Sequence, residues 1–252
     1  MKKKLIQSVL RSNQILDIVS NNQDGICLKD IAKKLELGSS TVFYLIHTLI
    51  YNNFIIQSNN KYKLGPKNLQ LGNSYLESLS IYKIATPILE DLLKKINETI
   101  YLYIIEHKEF LELAKLEGTH AVKPTRIATN SNNAHATAVG KILLSSFSKD
   151  ELKEFTKTGM KKFTKNTISS FKQLSKEMDK IKENQYALDF EESEIGIFCI
   201  SVPIHNHKKE IYASIGVSIP AQRFSKARIN KYLSFLKNGA AAISNALGFQ
   251  RQ

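Results

Sequence analysis

The chain has 252 residues with 36 Lys and Arg against 23 Asp and Glu, a formal net charge of +13. That length suits one large or two ordinary domains, and that charge favours a polyanionic partner. Two distant cysteines, Cys27 and Cys199, exclude a disulfide framework and a zinc-type cluster. No apolar run reaches the length of about 18 residues that a membrane span needs, and Leu5-Ile6-Gln7-Ser8 is too polar for a signal-peptide core. The expectation is a cytoplasmic protein with no membrane partner.

In chain order, a first helix is predicted from Lys3 to Val19, with Ile6, Val9, Leu10, Leu16 and Val19 facing inward. Asn21-Asn22-Gln23-Asp24-Gly25 ends it. Ile31, Ala32 and Leu35 form a short apolar stripe, which Glu36-Leu37-Gly38-Ser39 breaks. Gly38 is expected to take the turn conformation, and the Ser39 or Ser40 hydroxyl to cap the next helix. In helix 39–50, Val42, Leu45, Ile46 and Leu49 share an inward face. The complementary stripe of Ser40, Phe43, Tyr44 and His47 is left free to meet a partner. Phe54–Gln57, the turn Ser58-Asn59-Asn60 and Lys61–Leu64 then read as a hairpin with a basic tip. Two helices followed at once by such a hairpin are the order of a DNA-reading winged helix-turn-helix. The alternative is the end of a small helical bundle followed by an unrelated hairpin.

Pro66 suits the first turn of a helix over 66–79, amphipathic through Leu69, Leu71, Tyr75 and Leu76. Its apolar positions offer either a dimer seam or a plain connector. The organisation expected is a winged helix-turn-helix over 1–65, a linker helix over 66–80 and a second domain over 81–252. In the second domain Ile84, Ile88, Leu89, Leu92 and Leu93 define one helical face. Thr99–Ile105 reads as a strand, His107-Lys108 as a tight turn and Phe110–Leu116 as the returning strand. A further strand is predicted over His120–Ile127, and helices over 134–147, 149–158 and 171–185. Strands over 197–204 and 211–218, joined by His205–Lys209, precede a last helix over 224–247. The order predicts an α+β fold with a largely antiparallel sheet.

Patterns with catalytic or metal potential do not hold together. Gly140-Lys141 lacks the other positions of a phosphate loop, since His135 and Ile142 stand where Gly and Ser or Thr are required. His205-Asn206-His207 has no third ligand nearby, and reads as exposed turn histidines. Asp189, Glu191, Glu192 and Glu194 read as a solvated acidic loop rather than an ion site. His135 with Cys199 would need an orienting third group that the sequence does not supply. No enzyme, metal or cofactor is expected.

The layout from Ile6 to Gly248 resembles the IclR family of bacterial transcription regulators. The residues that carry the resemblance are Ser40-Thr41-Val42, Tyr62-Lys63-Leu64-Gly65-Pro66, His135–Lys141, Tyr186–Glu192, Gly196–Pro203 and Ser214–Ser218. The resemblance implies a homodimer or tetramer that binds a palindromic operator, with a GAF-like second domain that senses a small organic acid or aromatic metabolite. It places the effector site near Ala138, Val139, Gly140, Asp189, Cys199, Gly216 and Ser218, with backbone amides around Gly140 suited to a carboxylate. Two positions depart from the family pattern. Tyr44 stands where a basic residue is frequent, and no Lys or Arg lies between Lys34 and Lys61. Gly216 stands where some members place a second serine, which suggests a roomier pocket and an effector larger than a two-carbon acid. On the DNA side, Ser39, Ser40, Thr41, Phe43, Tyr44 and His47 are the candidate contacts, with Lys61 and Lys63 on phosphate. Phe43 and the Thr41 methyl favour thymine methyl groups, hence an A·T-rich operator. The runner-up function is a ligand-sensing interaction module whose degenerate winged helix serves dimerisation.

Overall fold

A computed structural model describes residues 5–78, 80–124, 129–157 and 159–249. It divides into two compact units, Met1–Ser78 and Leu79–Gln252.

The first unit comprises α1 (Gln7–Ser20), α2 (Leu28–Leu35), α3 (Ser39–Tyr51), the hairpin strands β1 (Ile55–Ser58) and β2 (Lys61–Leu64), and α4 (Pro66–Ser78). Its core joins Ile15 and Val19 of α1 to Ile31, Ala32, Val42, Ile46, Leu49, Ile55 and Tyr62. The expected inward face of α1 is corrected in its first half: Ile6 is 68% and Val9 54% exposed. The helical period explains this. Ile15 sets the buried face, and Val9 lies about 120° away from it around the helix. Ile6 is the N-cap position, ahead of the first helical turn. Lys3 and Lys4 lie outside the described residues.

The turn between α2 and α3 also differs from expectation. Glu36 takes the left-handed conformation (φ 54°, ψ 39°), whereas Gly38 is extended (φ −62°, ψ 139°) and is itself the N-cap of α3. The amide of Leu37 donates to the Ala32 carbonyl and that of Glu36 to Lys33, closing α2 with the left-handed residue directly after its last turn. Neither Ser39 nor Ser40 caps α3, because the helix already includes both. The hairpin is tighter than expected. Ser58 pairs with Lys61, and Asn59 and Asn60, at φ 49° and 58°, form the two-residue turn that suits strand twist.

The second unit begins with α5 (Ser80–Ile96). An antiparallel sheet follows, formed by β3 (Thr99–Glu106), β4 (Glu109–Leu116), β5 (Ala187–Phe190), β6 (Ile197–His205) and β7 (Ile211–Pro220) in the order β4-β3-β7-β6-β5. Between β4 and β5 come a 3-10 turn (Ala134–Ala136) and helices α6 (Ala138–Leu144), α7 (Lys149–Phe155) and α8 (Phe171–Asn184), and the unit ends with α9 (Ile229–Ala246). The strands alternate. Ile100, Leu102, Ile104, Ile200, Val202, Ile215 and Val217 form a buried aliphatic face. The other face carries Tyr101, Tyr103, Asp189, Cys199, Ser201, Ser214, Gly216 and Ser218, and α6 packs on it.

Three expectations are revised here. His120–Pro124 forms no strand, and 125–127 lies outside the described residues. Pro124 has no donor for a ladder, and the Val122 carbonyl accepts from Arg223 instead. The helix expected over 134–147 is interrupted at Thr137, which is extended and caps α6. The last helix starts at Ile229 rather than 224, after a 3-10 turn at Lys226–Arg228. β5 was not anticipated as a strand.

Candidate nucleic-acid interface and effector cavity

Val42, Ile46 and Leu49 anchor α3 to the core, which turns the opposite stripe outward. Ser39, Ser40, Thr41, Phe43, Tyr44 and His47 are all exposed, Tyr44 at 71%. Phe43 sits with its ring centroid 5.8 Å from both the Tyr44 ring and the His47 ring, so the three form one aromatic ridge. Lys61 and Lys63 lie two apart on β2, on either side of buried Tyr62. The missing cation on α3 has a counterpart that the sequence did not reveal. Lys33 and Lys34 of α2 share a hollow with Lys61, walled by Asn22, Gly25, Ile26 and Cys27 and by one acid, Asp30, so the three cations leave it with a net positive charge. Spacing along the chain does not show this, because the pairing of Ile26 with Tyr62 is what brings the wing to α2.

In the second unit, a cavity of about 50 Å³ lies between the first turn of α6 and the polar sheet face. Of the effector residues expected from the resemblance, Ala138, Val139, Asp189, Cys199, Gly216 and Ser218 line it. Gly140 does not. Its amide donates to Thr137 Oγ1 at 3.1 Å as part of the helix cap, so it is not free for a ligand. Glycine is needed there for packing, since a Cβ would lie 2.4 Å from the Ala134 carbonyl oxygen. Gly216 does not enlarge the cavity either. A Cβ at that position would lie 2.8 Å from Val139 Cγ1, so the Val139 side chain already fills the space a serine would take. The volume corresponds to about four water molecules.

Residues that sequence reading missed complete the wall: Tyr101 and Tyr103 of β3, Thr129, Thr137, Ser193 and Glu194, with the aliphatic Ile197, Ile200 and Val217. Tyr101 and Tyr103 were legible as a pair, because residues two apart on a strand share a face. The Tyr103 hydroxyl donates to Glu112 Oε2 at 2.6 Å and accepts from the Thr129 amide at 3.2 Å. Burial and then the Glu112 bond push its pKa up. Thr129 Oγ1 donates to Thr137 Oγ1 at 3.1 Å, which continues the chain of bonds into the α6 cap. Ser218 Oγ and Cys199 Sγ are 3.3 Å apart. Burial, reinforced by the nearby Asp189 charge, raises the thiol pKa, so Cys199 is neutral.

The acidic segment after β5 is not a solvated loop. Asp189 is fully buried and Glu192 nearly so. Asp189 Oδ1 accepts from the Glu192 amide at 2.7 Å, and Oδ2 accepts from Ser193 Oγ at 2.7 Å. Lys141, fully buried, reaches Glu192 Oε1 and the Leu188 carbonyl, each at 2.5 Å, with Glu177 Oε1 at 3.8 Å. Burial pushes the Glu192 carboxyl up to about 7 against the pull of Lys141. Its Oε2 is the buried side-chain oxygen left without a partner among the described residues.

The catalytic and metal patterns dissolve in the same way. His135 Nε2 meets the Lys161 carbonyl at 2.9 Å and its ring lies against Phe163, whereas Cys199 meets Ser218, so the structure does not pair them. His205 ends β6 and stacks on Phe249, so of that turn's histidines only His207 is exposed. Among the described residues no group of three His, Cys, Asp or Glu is placed to hold a metal, and no helix is long and apolar enough to cross a membrane.

One chain thus carries a winged helix and, in a separate unit, an antiparallel sheet with a cavity on its polar face. Residues 73–245 match the family described as bacterial transcriptional regulator IclR C-terminal, and residues 8–58 match the IclR helix-turn-helix domain. The HTH-type transcriptional regulator XynR of Escherichia coli (strain K12) is 32% identical over 97% of this chain and 98% of its own length. The DNA-binding transcriptional repressor YiaJ of the same organism is 29% identical over 96% of this chain and 88% of its own. The crystal structure of the Thermotoga maritima IclR has a TM-score of 0.75 at 30% identity, covering 96% of this chain and 99% of that one. The chain belongs to the IclR family: it is a DNA-binding transcriptional regulator, of a family that includes repressors, and not an enzyme.

Proposed function

We propose that this regulator acts in the cytoplasm as a homodimer or tetramer on a palindromic, A·T-rich operator, and that a small carboxylic acid in the cavity modulates its binding. On the DNA side, α3 enters the major groove with Ser39, Ser40, Thr41, Phe43, Tyr44 and His47 facing bases and phosphates. Lys61 and Lys63 anchor phosphates beside the groove. The Lys33, Lys34 and Lys61 hollow supplies the charge that α3 lacks. Exposed Leu5 and Ile6 just ahead of α1 and Val9 in its first turn, with Leu69 and Leu71 of α4, are the apolar surface a second copy would cover. The side chains of Tyr75 and Leu76, read as part of that face, lie outside those described.

The observation that carries the sensor reading is the cavity. Its walls come from α6, the segment after β5, and the polar faces of β6 and β7, so an occupant touches elements far apart in sequence. The Ser218 hydroxyl and the first-turn amides of Ala138 and Val139 would meet the acid. To regulate, the acid must bind the DNA-competent and DNA-incompetent states with different strength. The test is a thermal-shift screen of metabolite acids against wild type and Ser218→Ala, followed by gel shift of operator DNA. A true effector stabilises wild type more than the variant and changes operator affinity. Equal stabilisation of both, with operator affinity unchanged, refutes the assignment.

A further inference from the structure

We propose that an acid effector enters the cavity together with one proton, and that Asp189 holds that proton against the bound carboxylate. This rests on the reading that the cavity takes a carboxylate. The argument is one of charge balance in a buried place. Asp189 is fully buried, yet forms part of the cavity wall. The residues lining the cavity include two carboxylates, Asp189 and Glu194, and no Lys, Arg or His. The nearest ammonium is that of Lys141, and it is already engaged by Glu192 Oε1 and the Leu188 carbonyl, with Glu177 behind. Lys141 therefore faces three carboxylates, Glu192, Glu177 and Asp189, before any ligand arrives; a second cation, the exposed Lys180 of α8, lies 3.8 Å from Glu177 Oε2. Turning Lys141 towards a new anion would strip Glu192, whose Oε2 already lacks a partner.

The other groups that face this place bring no positive charge. From the 3-10 turn, His135 is bound to the Lys161 carbonyl; burial lowers its pKa by more than that bond raises it, and Lys141 lowers it further. From β3, Tyr103 donates to Glu112 of β4, and Tyr101 lies beside it. From β6, the Cys199 thiol is neutral. Two carboxylates that share a site from which water is excluded do not both ionise. The balanced event is uptake of one proton from solvent. It adds to Asp189 Oδ2, whose partner Ser193 has a rotatable hydroxyl, while Oδ1 stays on the Glu192 amide. The acid then donates a short, charge-assisted hydrogen bond to the effector carboxylate. Burial already pushes the Asp189 carboxyl above its usual range, although Lys141 opposes this.

The experiment titrates the full chain with acetate, glycolate and benzoate, and with acetamide, glycolamide and benzamide, between about pH 6 and pH 8, where the free acids stay ionised. Calorimetry in two buffers of different ionisation heat counts protons. The expected result is one proton taken up per acid bound, with Kd weakening by up to about tenfold per pH unit, and no such slope for the amides. Asp189→Asn, an uncharged mimic of the protonated acid, should bind acids with a slope below about twofold per pH unit. The proton count on wild type stands even if that variant folds poorly. Acid binding without proton uptake, or a slope that survives in Asp189→Asn, overturns the proposal and leaves the carboxylate reading intact. Binding of amides alone, or of no compound, overturns the carboxylate reading itself.

Discussion

Replacing Lys141 with Met leaves Glu192 buried without its counter-charge and strips the Leu188 carbonyl of its donor. Breaking one side of a buried pair costs about 3–5 kcal/mol. The lower end applies at neutral pH, because the Glu192 carboxyl, already pushed up to about 7, escapes by taking a proton. A loss of about 3 kcal/mol in a unit of this size lowers Tm by about 6–12 °C. Differential scanning calorimetry on the full chain, following the transition of Leu79–Gln252, reads the shift. In a double-mutant cycle, Lys141→Met with Glu192→Gln should recover more than about 1 kcal/mol relative to the sum of the single changes. A pH series adds a second reading. A carboxyl raised in the folded state binds more protons folded than unfolded, so its ionisation subtracts stability as pH climbs from its ordinary 4.5 to about 7 and nothing further above that. Glu192→Gln should remove that component of the slope. A Tm change under about 2 °C for Lys141→Met, or strict additivity in the cycle, would refute the reasoning.

Two further outcomes concern the first unit. Changing Lys61 and Lys63 to Ala should weaken binding to every duplex similarly and flatten the dependence of log K on log salt by about one to two units; an unchanged slope counts against phosphate contact. Light scattering should show a dimer or tetramer for the wild type, and Val9→Asp with Leu69→Glu should shift it towards smaller species, whereas a wild-type monomer at micromolar concentration would sink the seam assignment.

Much of the fold could be read from periodicity. The inward face of α3, the β3–β4 hairpin and the β6–β7 pair follow from spacings of 3.6 and 2. Local backbone detail was less legible. Glu36 rather than Gly38 turns left-handed because the closing bonds of α2 decide it, and composition does not record hydrogen bonds. The four-residue edge strand β5 is too short to show a period, so Asp189 and Glu192 looked like loop acids until their burial was known. In the site, resemblance located six of the seven expected wall positions, but not what occupies them. Gly216 reads as added space until Val139 is seen across from it. Lys141 read as a failed phosphate loop, because its partner Glu192 lies 51 residues away.

The alternation within β6 and β7 separates two kinds of demand on the same strands. Ile200, Val202, Ile215 and Val217 bind the sheet to its aliphatic layer, although Ile200 and Val217 also border the cavity, while their immediate neighbours Cys199, Gly216 and Ser218 face it. Exchanging a cavity-facing residue leaves the aliphatic layer one position away untouched. A lineage can therefore retune what its regulator senses by single small replacements on one face, with the fold's main source of stability carried unchanged on the other.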